Sequence, residues 1–415
     1  MKTSPRTELR RKHRLTRLGF HFLFVGAFAM LGGALRGFNL LLVLAGLLVG
    51  ALIMQWRWSR RSVEAVSVQR RLPTEAFAGR PFRVRYRLHN HSRLMPVWMM
   101  RVEDRIEAVD RQDKAVAACG IGMLSAQRTL IPHYDCVMTH RGRYRFGPVV
   151  LMTTFPFSLF RSRQIVDDRS EFHVFPKLLT LSSRWQQRLI SRSGGVSTTA
   201  RRSGPTEGDF FGLREWQTGD STKWIHWRTT ARLSEPAVRQ FEQQRRFDSC
   251  ILVDAFDSGG DDRNVELAIS LAATFLVHLV GSPSNRVVLA VAGMQADAVI
   301  GGGSIEGKRR MLEMLADVNP TDRPVVDEAA RKALQIVGNT QDLIVISPRS
   351  LDQVKQLDPS LSNTIIPWVR RGSFRWIDVS DSSIERWVVR DAVSLAKVSR
   401  DDQRKVATSE LTEVI

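Results

Sequence analysis

Two long apolar runs open the chain. The hydrophobic period then falls to two, and after about residue 249 short apolar runs alternate with helical spacing. Each regime predicts a different structure. Leu18 to Leu35 is broken only by His21, and Phe38 to Trp56 only by Asn39 and Gln55. Each run is about 18–19 residues, the length one bilayer crossing needs. Arg36-Gly37 separates them, and glycine permits a tight turn, so residues 18–56 read as a transmembrane helical hairpin. A cleaved signal peptide fits less well, because the first run is long for an h-region and a second follows directly.

From 63 to 175, Val66 and Val68, then Phe82, Val84, Tyr86 and Leu88, alternate with polar neighbours. That is the pattern of half-buried antiparallel strands, and it predicts a β-sandwich-like domain. Arg83, Arg85, Arg87, Arg141, Arg143 and Arg145 fall at alternating positions and read as solvent faces of strands. His89 and His91 would point the same way on a strand. With no third ligand nearby, they read as a solvated or packed pair rather than a metal grip.

Residues 176–248 read as a connector carrying a dense motif. Ser191 to Gly208 is rich in Ser, Gly, Thr and Arg and suits a linker. After it, Trp216, Trp224 and Trp227 are interleaved with Arg214, Glu215, Asp220, Lys223, Arg228 and Arg232. Gly219-Asp220 suits a turn, with Asp220 capping a short helix from Ser221. Such a mixture predicts buried aromatic packing held by paired charges, with Glu242 among the partners. Asp220, Ser221 and His226 can be drawn as a triad on paper, but no nucleophile elbow is present and His226 lies between Ile225 and Trp227.

Residues 249–398 read as a doubly wound α/β domain. Cys250 to Asp254, Arg286 to Val291, Gln341 to Ser347 and Phe374 to Val379 are the expected strands. Asp261 or Asp262 to Leu279, Ser304 to Val318 and Asp327 to Val337 are the expected helices. Ligands of such folds bind beyond the carboxyl ends of the strands, which directs attention to Asp254 through Ser258 and to Ser347. Gly301-Gly302-Gly303-Ser304 lacks both dinucleotide and P-loop spacing and reads as a turn before a helix. Residues 399–415 form a polar tail.

Charge changes the picture in one respect. The formal net charge is +19, and more than half of the excess lies before Leu72, flanking the two apolar runs. Residues 1–17 form a basic tail with Lys2, Arg6, Arg10, Arg11, Lys12, Arg14 and Arg17, and Arg57, Arg60 and Arg61 follow the second run. The turn has only Arg36. By the positive-inside rule both termini and the soluble domains are cytoplasmic. The bilayer is therefore the expected partner of this charge, not a specific nucleic acid. The three cysteines, Cys119, Cys136 and Cys250, have no CxxC spacing and read as free thiols.

Several motifs together resemble the bacterial family known as domain of unknown function 58. They are Arg141-Gly-Arg-Tyr-Arg-Phe-Gly-Pro148 with Phe155-Pro-Phe-Ser-Leu-Phe160, then Leu213-Arg-Glu-Trp-Gln-Thr-Gly-Asp220 through Trp227 and Ala231-Arg232 to Val238-Arg-Gln-Phe-Glu242, and the strand ending at Asp254. The resemblance implies roles for Arg214, Gly219, Asp220, Trp227, Arg232 and Glu242 as family-motif residues. It implies a von Willebrand factor A-like fold, a bacterial inner (cytoplasmic) membrane as the setting, a MoxR-type AAA+ ATPase as partner, and no established catalytic activity. An intact metal-ion-dependent adhesion site of that fold reads D-x-S-x-S and completes its shell with a partner's carboxylate. Here Phe256 stands where a ligand serine belongs, leaving Asp254, Ser258 and Ser347 as a degenerate site. No cofactor is expected; Mg²⁺ is the ion these remnants would take, and losing one oxygen weakens it.

The expected function is therefore a membrane-anchored, non-enzymatic scaffold or adaptor, serving such an ATPase or an envelope-related client. The alternatives are a metal-dependent or hydrolytic enzyme, and a lipid- or nucleic-acid-binding module that uses the basic N-terminus. Client and oligomeric state are not legible in these residues.

Overall fold

The computed structural model describes residues 9–185, 188, 210–216, 222–233, 235–241, 248–257, 262–281, 286–301, 304–323, 325–337 and 342–389. The chain divides into two compact units, Met1–Lys177 and Leu178–Ile415.

The first unit begins with β1 (Leu9–Leu15), α1 (Arg17–Arg36) and α2 (Asn39–Glu64). Both helices are long and apolar enough to cross a membrane. Thr16 caps α1 by accepting from the Gly19 amide at 3.0 Å, and Gly37, at φ 70°, turns the chain into α2. Phe20, Phe24, Phe28, Leu35 and Leu40 stay exposed along the pair. The structure adds a strand where a basic tail is expected: β1 pairs antiparallel with β9, at the edge of its sheet. It also carries α2 eight residues past Trp56, because that stretch has polar groups to place against the sandwich. Gln55 accepts from the Leu159 amide at 3.0 Å and donates to the Thr154 carbonyl at 2.9 Å, and Ser59 meets Ser162 at 2.9 Å. At Gly19 the helix touches the same loop, where any Cβ would run into the Leu159 carbonyl.

The rest of this unit is two sheets. Its strands are β2 (Val66–Arg71), β3 (Pro81–Asn90), β4 (Val97–Ala108), β5 (Lys114–Leu124), β6 (Thr129–Leu130), β7 (His133–Val137), β8 (Gly142–Thr153), β9 (Phe160–Val166) and β10 (Ser170–Val174). One sheet has the order β1-β9-β8-β4-β5 with β10 beside β8; the other is β2-β3-β6 with β7 beside β3. Val84, Tyr86, Leu88, Val102, Phe146 and Leu151 fill the space between them. Burial strictly alternates along β3, which leaves Arg83, Arg85 and Arg87 in solvent. Arg141 departs from that expectation and is buried, because it precedes β8 and is not part of its alternation. Gly147, at φ 104°, lies against the Asp168 carbonyl, where a Cβ would not fit. Inside the sandwich Arg70 donates to both Asp104 oxygens at 2.8 and 3.1 Å, and also to Phe146 O, Asp168 O and Ser170 Oγ.

The second unit contains β11 (Phe210–Glu215), α3 (Trp227–Leu233), β12 (Ala237–Phe241), β13 (Asp248–Asp254), α4 (Asp262–Val280), β14 (Arg286–Ala292), β15 (Ala296–Gly301), α5 (Ile305–Asp317), α6 (Val326–Val337), β16 (Asp342–Ser347), α7 (Leu351–Leu357), α8 (Ser360–Arg371) and β17 (Phe374–Asp378). Its main sheet has the order β15-β14-β13-β16-β17. All neighbours are parallel except β14 and β15. Cys250, Leu252, Val288 and Val345 pack against α6 and α8 on one face, where Ala330 and Trp368 are buried. Helix α4 covers the other face with Leu267, Leu271 and Phe275, all buried. Alternate strand residues thus feed two layers, as a two-sided parallel sheet requires. Ser304 caps α5, accepting from Gly307 N at 3.1 Å, so the Gly301–Ser304 stretch does end in a helix start. Residues 178–185, expected as connector, belong to this packing: Leu179 N donates to Thr274 Oγ1 at 2.9 Å, and Trp185 stacks on Phe275.

Candidate functional site

Strand order reverses at β13. β14 lies on one side of it and β16 on the other, so the crevice beyond the ends of β13 and β16 is the switch point of the sheet. Asp254 ends β13 and Ser347 ends β16. The fold brings these two together and adds Arg349, which sequence reasoning did not select.

Asp254 is buried, and both its oxygens are engaged. Oδ1 accepts from the Phe256 amide at 3.1 Å. Oδ2 accepts from Ser347 Oγ at 2.7 Å and from Arg349 Nη2 and Nε at 2.8 and 3.1 Å. Ser347 Oγ in turn accepts from the Arg349 amide at 3.0 Å. Trp376 Nε1 donates to the Arg349 carbonyl at 2.9 Å. The guanidinium lies 3.6 Å from the centroid of the Phe256 ring, a cation–π contact in a dry setting. Phe256 thus has a use in this structure besides removing a hydroxyl: it covers the arginine.

The surrounding backbone fixes this geometry. Ala255 N donates to Ala292 O at 3.0 Å, Asp257 N to Thr321 O at 2.7 Å and Thr321 N to Ala255 O at 2.9 Å. Val379 N donates to Ser347 O at 2.9 Å. One donor stays unspent: Arg349 Nη1 is buried and has no hydrogen-bond partner among the described residues. A buried N–H without an acceptor costs about 1–3 kcal/mol, so this donor calls for one beyond the described residues. Ser258 lies outside the described residues. Among the described residues no group of three or more His, Cys, Asp or Glu is placed to hold a metal.

The family motif lies on a separate small element. β11 and β12 form an antiparallel ribbon with Arg214 opposite Val238. Helix α3 starts just after His226, whose Nδ1 is 2.8 Å from Thr229 Oγ1 and whose amide donates to Ala237 O. Ala237 N donates to Thr230 Oγ1 at 3.1 Å, which closes the loop. The expected buried aromatic cluster is not what forms at Trp227. That side chain is 67% exposed, and Arg232 is exposed too. Among the described residues the two-stranded ribbon and its seven-residue helix have no second layer to cover an indole. Gly219, Asp220, Ser221 and Glu242 lie outside the described residues, as does the linker Ser191 to Gly208.

His89 and His91 form an edge-to-face pair at 4.5 Å. Their nitrogens turn to Thr129 and Ser67, at 3.0 and 2.9 Å. Cys119, Cys136 and Cys250 are free thiols. Burial pushes Cys250 up to about 12, so it stays protonated and unreactive.

Residues 212–354 match the family described as "Protein of unknown function DUF58". That span holds Arg214, Trp227, Arg232, Asp254, Ser347 and Arg349, so the ribbon and the switch-point cluster both fall inside it. The chain is also 23% identical over 191 residues to the "Uncharacterized protein YeaD" of Bacillus subtilis (strain 168). The match covers 45% of this chain and 47% of that relative, about half of each. Among solved structures, the C-terminal domain of wzt overlaps 28% of the chain and 75% of its own, at 8% identity and TM-score 0.23. The CARDB domain of the PF1109 protein from Pyrococcus furiosus overlaps 26% of the chain and 84% of its own, at 12% identity and TM-score 0.17. Overlaps this low establish neither a shared fold nor a shared function.

Proposed function

We propose that the protein is a membrane-anchored, non-enzymatic adaptor whose α/β unit is von Willebrand factor A-like. In this reading the switch-point cluster docks an acidic residue of a partner without a metal. The observation that carries it is the Arg349 guanidinium, held on Asp254 with one buried N–H unspent. In an adhesion-type site a divalent ion sits on the strand-end carboxylate and takes a partner carboxylate as its last ligand. Here a fixed cation rests on that carboxylate, and a shift of the covering Phe256 ring would open its buried donor to a charge-assisted hydrogen bond with the partner's carboxylate. Strand order β15-β14-β13-β16-β17 with an antiparallel edge strand supports the A-like reading. Two membrane-length helices support the anchor, and the basic residues at their outer ends support cytoplasmic termini.

An enzymatic role is less well supported. Asp254 spends its lone pairs on Arg349, Ser347 and an amide, so it is poorly placed to take a proton. The partner class proposed is a MoxR-type AAA+ ATPase or an envelope-related client. The test uses the full chain in lipid nanodiscs and a purified, nucleotide-free MoxR-type ATPase, in EDTA and in Mg²⁺. Binding should be equal in both and fall at least tenfold in Arg349→Ala. Loss of binding in EDTA, or binding indifferent to Arg349→Ala, would overturn the reading.

A further inference from the structure

A second cationic site lies in the first unit, and its charges are not neutralised. A cleft of about 790 Å³ is lined by Lys12, Arg14, Arg17, Arg105, Arg161 and Arg163. Sheet register explains how they converge. Lys12 on β1 faces Arg163 on β9, and Arg14 faces Arg161. Side chains two apart share a face, so the two like-charged pairs stack on one side of the sheet. Ser162, between them in sequence, points the other way to His13 and Ser59. Like charges directly opposite on neighbouring strands destabilise a sheet.

Among the described residues no carboxylate offsets this. Glu103 lines the cleft, but it is paired with Arg101 at 3.1 Å. The only polar partner of the six basic side chains among the described residues is Met152 Sδ, which accepts from Arg163 Nε at 3.3 Å. Thr154 and Ser158 also line the wall. An arrangement that costs the sheet stability and leaves six cations without a carboxylate among the described residues is shaped for an anion with several oxygens. The remaining wall decides which anion. Leu15 and Leu18 line the same cleft, and Leu18 is exposed where the apolar face of α1 begins. A ligand with a phosphate at one end and hydrocarbon at the other satisfies both walls.

We infer that this cleft binds the phosphate of an anionic phospholipid headgroup, seating β1 and the start of α1 at the membrane surface. The inference rests on the membrane-anchored reading. Guanidinium forks on Arg105, Arg161 and Arg163 would hold the phosphate oxygens while Leu18 meets the upper acyl chain.

The test is lipid retention by the full chain, read by native mass spectrometry from detergent micelles. Phosphatidylglycerol and phosphatidylcholine are added separately, with and without excess inorganic phosphate. Phosphatidylglycerol should be retained preferentially. Arg105→Gln with Arg163→Gln should weaken it by about fivefold per charge removed. Arg83→Gln, which breaks a surface pair with Asp135, should leave it unchanged. The double variant should melt no lower than the parent in phosphatidylcholine, since it relieves repulsion. Equal retention of both lipids, retention indifferent to the double variant, or complete displacement by inorganic phosphate would overturn the inference. A chain that fails to join vesicles of either lipid would instead sink the membrane-anchored reading itself.

Discussion

Arg70 and Arg349 both lie inside the protein against a buried carboxylate, one in each unit, yet they are bonded to different degrees. Arg70 reaches Asp104, two backbone carbonyls and Ser170, and Asp104 also accepts from the Tyr86 hydroxyl at 2.8 Å. It sits between two sheets, and none of its nitrogens is a buried donor without a partner. Arg349 also grips its carboxylate, but at the end of a parallel sheet, under a phenyl ring and with Nη1 unspent. A fully satisfied buried pair specifies a core. A pair with a spare donor at a switch point specifies a site. The basic cleft extends the series: there the cations have no carboxylate, and the missing partner is assigned to the membrane.

The comparison breaks most sharply at Arg70. Arg70→Ala leaves Asp104 buried without its counter-ion and should cost about 3–5 kcal/mol. A denaturant melt of the full chain in detergent measures this, and a loss under about 1 kcal/mol would mean that water or a neighbour replaces the guanidinium. Arg349→Ala should cost less, about 1–3 kcal/mol, because Ser347 and the Phe256 amide still bond Asp254. The same melt ranks the two, and the opposite order would undo the distinction between core pair and site pair.

Titration sharpens the core side. Burial pushes the Asp104 carboxyl above the ordinary carboxylate value, while the Arg70 charge pulls it back. A group whose folded value is raised binds more protons folded than unfolded, so its contribution to stability declines as pH rises above about 3.9 toward that value. Removing Arg70 removes the downward pull. The deficit of Arg70→Ala should therefore be larger at pH 8 than at pH 5, by about 1 kcal/mol or more. A pH-independent deficit would show that Asp104 is not ionised in the parent.

The smallest expected effect on stability is at the ribbon. Trp227→Ala should change the melt by no more than about 0.5 kcal/mol, as exposed side chains do. It should nonetheless weaken partner binding about tenfold if the exposed indole is a docking anchor. A large loss of stability would return the motif to the architectural role first expected of it.

Much of this layout was legible in residue patterns. Long apolar runs, period-2 strands and short apolar strands between helices are set by local sequence, and Phe82 to Leu88 or Cys250 to Asp254 reveal them directly. Tertiary context decided the rest, and at α4 the expected core helix is the one that forms. Helix α4 is apolar enough to cross a membrane and has 72% of its span buried, whereas α1 and α2 have 22% and 17%. Its neighbours in the sheet make it a core helix, as strand alternation around it suggests. β1 was hidden by its charge, because only an open edge on β9 makes Leu9–Leu15 a strand. Trp227 resembled a core residue because tryptophans cluster nearby, but among the described residues the ribbon offers nothing to cover it. Arg349 was missed because its partner is 95 residues away in sequence. The signal available was a basic residue two positions past a strand end, beside a strand that ends in aspartate.

The central claim is that a fixed arginine occupies the place of a metal. Calorimetric titration of Mn²⁺ into the full chain tests it most directly. The account predicts no saturable heat in the parent, and saturable binding once Arg349→Ser and Phe256→Ser free the Asp254 and Ser347 oxygens together. Saturable binding by the unmodified protein, abolished by Asp254→Ala, would contradict it.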